Sequence, residues 1–177
     1  INNKTNVKPE TKDKIEQIFK DLNYVPNCNA VSLKKKKTRS LGLIIPDIPN
    51  PFFISMLQGF EDRAIESGYN TILCNTDQNK KKKKNYIQMI LEKRIDGVAV
   101  STVSKDSSHL EKIIKQDIPL ILIDRKIKDL DVDIVCGDSY QGAVKLVNHL
   151  IENGHTKIAM VAAPTHISTG KEREEGY

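Results

Sequence analysis

From Leu41 onward the chain alternates short apolar runs with helix-length amphipathic stretches, and this alternation narrows the possible folds more than any other feature. The runs are LGLII (41–45), TILC (71–74), GVAV (97–100), PLILI (119–123), DIVC (133–136) and KIAMVA (157–162). They are short, nearly continuous and rich in Ile and Val, as strands covered on both faces must be. Between them, Phe53, Met56, Leu57, Phe60 and Ala64 recur at helical spacing, as do Ala143, Leu146, Val147, Leu150 and Ile151. Ile87, Ile90 and Leu91 mark a third helix, and Leu110, Ile113 and Ile114 a fourth. Gly68 and Gly154 follow the first and last stripes, where a glycine can take the left-handed turn that closes a helix. Strands alternating with helices predict an α/β fold with a doubly wound parallel sheet.

The first 40 residues differ. They carry ten Lys and Arg against four acidic residues, while the other 137 residues are within one charge of neutral. A basic leader on a neutral body points to a polyanionic partner for the leader, with a solvated basic tail as the plain alternative. Pro9 can open a helix over 9–23, whose stripe is Ile15, Ile18, Phe19 and Leu22. One narrow apolar stripe cannot form a core, so this helix needs partners the chain does not supply. The lysines 34–37 read as an exposed connector, and position 40 as a domain boundary.

Several function classes lose support at this stage. No apolar run is long enough to span a bilayer, and no apolar leader of a secretion signal is present. Cys28, Cys74 and Cys136 have no metal-ligand spacing. The latter two sit in apolar runs, which reads as small buried hydrophobes in a reducing cytoplasm. His109, His149, His155 and His166 show no metal-ligand spacing, and no glycine-rich phosphate loop follows the first strand. No nucleophile–base arrangement is evident either, so neither an enzyme nor a cofactor is expected.

The stretch YVPNCNAVSLKKKKTRSLGLIIPDIPNPFF carries a resemblance. Tyr24, Pro26, Asn27, Ala30 and Leu33, then Thr38, Leu41, Gly42, Asp47 and Asn50–Phe53, resemble the junction of lactose/galactose-type bacterial repressors. Arg94–Gly97, Asp124–Arg125, Asp138 with Gly142–Ala143, His149–His155 and Thr169 through Arg173 to Gly176–Tyr177 follow in the family's order. The resemblance implies a helix-turn-helix headpiece, a hinge helix and a two-lobed sensor of the periplasmic-binding-protein type. On that alignment, residues 1–26 are the C-terminal part of the headpiece and 27–40 the hinge helix and linker. Residues 41–138 are the first sensor lobe, and 139–177 the incomplete start of the second. The chain is thus expected to be a piece cut at both ends, short of its recognition helix.

The resemblance assigns DNA contacts to Thr11, Tyr24 and Asn27 on the sugar-phosphate backbone, and to Ala30 and Leu33 in the minor groove. Leu33 would be the wedge that opens a base step. Val31 stands where the family usually has Arg, which implies a weaker phosphate contact. In open α/β sheets ligands bind beyond the carboxyl ends of the strands, which nominates Asn50, Phe52, Phe53, Asn75–Asp77, Ser101 and Asp124. A polyol needs paired polar groups and an aromatic face: Asp124 with Arg173 supplies the first, Phe52 or Phe53 the second. Thr169 joins Arg173 on the family's effector position. Ile167 stands where purine-sensing members carry a basic residue, which speaks against a purine. Each residue also has an ordinary structural use. One of the two phenylalanines should be core, and Asp124 and Arg173 could pair with charged neighbours.

The expected protein is therefore a cytoplasmic, homodimeric repressor binding operator DNA and a small effector, expected to be a sugar, with no membrane partner. A periplasmic-type sugar-binding protein and an inactive fragment are the alternatives. The fragment by itself should bind DNA weakly and without sequence preference, and exposed sheet edges should make it aggregation-prone.

Overall fold

The computed structural model describes residues 8–24, 32, 34, 37–102, 107–127, 130–164 and 166–177. Two compact units divide the chain, Ile1–Lys36 and Lys37–Tyr177.

In the first unit, helix α1 (Pro9–Asp21) starts on Pro9 and carries Glu10 in its first turn and Lys20 in its last, both favourable to the helix dipole. None of its residues is buried. Ile18 and Leu22 of the apolar stripe stay exposed, and Tyr24 packs its ring on Phe19 at 5.0 Å.

The second unit is built on a five-stranded parallel sheet. Its strands are β1 (Ser40–Ile45), β2 (Asn70–Asn75), β3 (Gly97–Val100), β4 (Leu120–Ile123) and β5 (Asp133–Val135), in the order β2-β1-β3-β4-β5. Helix α2 (Pro51–Glu66) covers one face of the sheet, on which Leu43, Ile45 and Ala99 meet Phe53, Met56, Leu57 and Phe60. Helices α3 (Lys80–Lys93) and α4 (Glu111–Ile114) cover the other, where Ile44, Cys74, Val98, Val100 and Leu122 meet Ile87, Ile90 and Ile113. Successive strand residues serve opposite layers, as the pleat requires. This is the doubly wound α/β sheet the alternation predicts.

The caps follow local chemistry. The Asn50 carboxamide accepts from Phe52 N and starts α2. Gly68 closes that helix at φ 75°, a conformation that suits glycine. Lys80–Lys84 put like charge against the α3 dipole, yet the turn holds: Asn79 accepts from the amides of Lys81 and Lys82, and the Lys82 ammonium pairs with Asp77. The run is not wholly solvated, because Lys83 is buried.

Beyond β4 the pattern and the structure part. Helix α5 (Ser139–Glu152) forms as expected and stops at Gly154, φ 84°, but buries none of its residues. Helix α6 (Ser168–Gly176) packs against it so closely that a Cβ on Gly176 would lie 2.5 Å from Tyr140 O. Residues 157–162, expected as a strand, are not one. A strand is secured by a ladder, and among the described residues no strand lies beside this segment. Cys136, expected to be buried, is exposed, because it follows β5, an edge strand whose three residues are all exposed.

Candidate ligand cleft

Strand order reverses between β1 and β3, the point where an open α/β sheet leaves a crevice beyond its carboxyl ends. Asn50 and the two phenylalanines follow β1, Ser101 follows β3 and Asp124 follows β4. Ser101 N bonds Ile44 O at 2.8 Å, which fixes the end of β3 against β1. The Ser101 side chain is buried and its Oγ has no hydrogen-bond partner among the described residues. A buried hydroxyl without a partner costs free energy unless a bound group satisfies it.

The two phenylalanines divide their roles. Phe53 is 1% exposed and belongs to the core, whereas Phe52 is 50% exposed and meets Phe53 edge to face, with centroids 5.1 Å apart. Over the Phe53 ring lies the guanidinium of Arg125, its Cζ 5.8 Å from the centroid. The Asp124–Arg125 pair therefore lies on the side of the sheet that Phe53 covers.

Arg125, which adjoins Asp124, is not among the nominated residues. Its Nε stands 3.3 Å from Asp124 Oδ2, an ion pair too oblique for a well-formed hydrogen bond, and Nη1 has no hydrogen-bond partner among the described residues. Burial pulls the guanidinium below the usual arginine range, the Asp124 charge opposes that shift, and Arg173 adds to it. A half-buried guanidinium whose N–H groups are only partly satisfied, with a second cation nearby, favours additional acceptor oxygens. Asp124 itself holds a left-handed φ of 66° in a three-residue turn, where Arg125 N bonds Ile123 O at 2.7 Å. Such strain is held in place only when its surroundings demand it. Here the Asp124 N–H is pinned to Val135 O at 2.8 Å, so β5 aims the Asp124–Arg125 pair. The sequence signal was position: both residues sit directly past a buried strand, where the fold rule places ligand contacts.

The remaining candidates are placed less tightly. Asn50 Oδ1 is engaged as the α2 cap, which leaves its amide nitrogen for other contacts. Ser168 Oγ accepts from Lys126 N at 3.0 Å and Lys126 Nζ bonds Glu172 at 2.7 Å, fastening α6 to the segment after Arg125. Thr169 is buried at the start of α6, and Arg173 is exposed in its last turn. Arg173 also lines a cavity of about 590 Å³ with Leu146, Val147, Leu150, Met160 and Tyr177. That cavity is apolar and excludes the candidates at the ends of β1, β3 and β4, so it reads as unfilled packing beside α5. Thr11 and Tyr24 lie on and just after α1, exposed, while Asn27, Ala30 and Leu33 lie outside the described residues. Among the described residues no group of acidic, His or Cys side chains could hold a metal ion, and no helix is long and apolar enough to cross a membrane.

Residues 38–177 match the family model described as periplasmic binding proteins and sugar binding domain of LacI family. The chain belongs to this family. The ribose operon repressor of Halalkalibacterium halodurans is 34% identical across the whole chain, and so is the transcriptional repressor PurR of Aliivibrio salmonicida. The chain spans about half the length of these relatives, 52% and 54%. Among solved structures, a periplasmic binding protein/LacI transcriptional regulator from Alkaliphilus metalliredigens, complexed with D-xylulofuranose, is 31% identical with a TM-score of 0.68. The match covers 78% of this chain and 50% of that one.

Proposed function

We propose that this chain is the sensor-bearing part of a ligand-responsive DNA-binding repressor whose effector is a sugar. The observation that carries the reading is Arg125: a largely buried guanidinium over an aromatic ring, paired on one side with a carboxylate and with N–H capacity left over among the described residues, at the switch point of the sheet. A guanidinium donates to paired oxygens in a fixed fork, a carboxylate accepts from hydroxyls, and Phe52 offers an exposed apolar face. That set suits a polyol. Asn50, Ser101 and Asp124 would complete the first wall of the site, with Thr169 and Arg173 closing it from α6. The relatives are regulators and the cleft holds no paired nucleophile and base, so the reading is a binding protein rather than an enzyme. Thr11 and Tyr24, with Asn27, Ala30 and Leu33, are the proposed operator contacts of a cytoplasmic homodimer, and 1–26, 27–40, 41–138 and 139–177 its proposed segments.

Calorimetry with D-ribose, D-xylulose and adenine tests the ligand class. A pentose is expected to saturate the wild-type chain, and Arg125→Ala to weaken it about tenfold or more through the lost charge-assisted bonds. Saturable binding of adenine with no response to either pentose would overturn the sugar reading. Pentose binding indifferent to Arg125→Ala would remove the cleft from it.

A further inference from the structure

The opposite ends of the same two strands carry a second arrangement that the ligand reading does not use. The α3 helix ends in a left-handed Arg94, φ 50°, and Ile95, 2% exposed, pins the turn into the core. Asp96 then stands at the start of β3, its amide bonded to Ser40 O at 2.9 Å. Its carboxylate accepts from Thr38 N at 2.8 Å through Oδ1 and from Arg39 N at 2.9 Å through Oδ2. The Thr38 hydroxyl lies 3.0 Å from the same Oδ1 and 3.1 Å from Arg94 O, and donates to one or the other. Arg39 holds a φ of 51°, a left-handed conformation that a long side chain adopts only under constraint. The carboxylate supplies that constraint.

We infer that Asp96 is a positioning residue: it clamps the point where the chain preceding β1 joins the sheet, and so ties that point to the ligand cleft. The link is mechanical. β1 runs from the clamp to the loop bearing Asn50, and β3 runs from Asp96 to Ser101. Four to six strand residues make a rod of roughly 13–20 Å. Leu43, Ile44, Ile45 and Val100 are fully buried and paired, so this rod does not yield locally. A slack joint at Thr38–Arg39 would absorb a change at the cleft, whereas the clamped joint carries it to Lys37, where the chain enters this unit. The coupling half of this inference rests on the proposed sugar site, while the clamp itself does not.

The lysine run makes the test direct, because trypsin cleaves there. The full 177-residue chain would be digested with and without D-ribose or D-xylulose, cleavage at 34–37 followed by mass spectrometry, and pentose affinity measured in parallel. In Asp96→Asn the amide nitrogen replaces one acceptor, and cleavage is expected to rise about tenfold, with pentose affinity kept within about twofold. Pentose is expected to change the wild-type cleavage rate by about twofold or more and to leave the variant unchanged. Thr38→Val keeps both amide bonds, and a rise of only about two- to threefold is expected. Wild-type cleavage rates in Asp96→Asn would overturn the clamp whatever the ligand does. A pentose response surviving in the variant, or absent from a pentose-binding wild type, would overturn the coupling. Loss of pentose affinity in step with loss of thermal stability would reduce Asp96 to a general structural role. A wild type that binds no pentose, with the variant still cleaved faster, would remove the sugar reading and leave the clamp.

Discussion

Residues 40–123 and 133–164 are written in the same pattern and reach different ends. In the first stretch, β1, β3 and β4 interleave with α2, α3 and α4, and two side-chain layers close over Leu43, Ile44, Phe53, Ile90 and Leu122 at 0–1% exposure. In the second, β5 is exposed, α5 buries nothing, and Val161 stands fully in solvent. The α5 stripe is if anything the better one, since α3 opens on five lysines and still buries Ile87 and Ile90. An amphipathic pattern states which side of an element can be buried. The neighbours decide whether it is, and among the described residues α5 packs chiefly on α6, with no strand of the sheet against it to match.

Amide hydrogen exchange puts the largest number on this contrast. Amides of Leu43–Ile45 are expected to open only with the whole unit, and those of Lys157–Ala162 to exchange near the rate of free chain, a difference of about ten-thousandfold or more. Comparable protection in both would mean that 157–162 finds a ladder partner in solution, such as a second copy of the chain.

Paired truncations bring the same comparison into the side chains. Leu43→Ala empties a fully buried site and is expected to cost about 3 kcal/mol in urea unfolding. Leu146→Ala, at a residue 64% exposed, is expected to cost about 0.5 kcal/mol or less. A large loss at Leu146 would show α5 covered in solution by something the described residues do not include.

How far the sequence was legible follows from the same logic. The parallel sheet, its order of elements and both glycine helix stops could be read because strand burial and chain reversal leave local marks. The segment 157–162 could not: its composition is that of a strand, but a strand also needs a partner, which no local pattern records. The candidate cleft was nominated only in part. Position past a strand nominated Asn50, Ser101 and Asp124, and the core role of one phenylalanine was foreseen without saying which. Arg125 escaped because nothing local shows that a guanidinium beside Asp124 folds over Phe53 with N–H capacity left over among the described residues. The Asp96 clamp joins residues 57 and 58 positions apart, a distance at which a motif match names the carboxylate without its partners.

The cysteines carry the finest version of the comparison, because both end apolar strand runs and only one is covered. Cys74 is 0% exposed, and burial pushes its thiol up to about 11, while Cys136 is exposed. The folded state keeps the Cys74 proton to higher pH than the unfolded chain does, so the thiol's contribution to stability is complete below its ordinary range near 8.5 and declines as pH rises toward 11. Cys74→Ser buries a hydroxyl in an apolar layer and is expected to cost about 1–3 kcal/mol and to flatten that alkaline decline. Cys136→Ser is expected to stay within about 0.5 kcal/mol. Urea midpoints at pH 7 and pH 10 read both effects. Equal costs at the two positions would mean that the edge after β5 is covered in solution, and the division between a closed and an open half of this unit would have to be redrawn there.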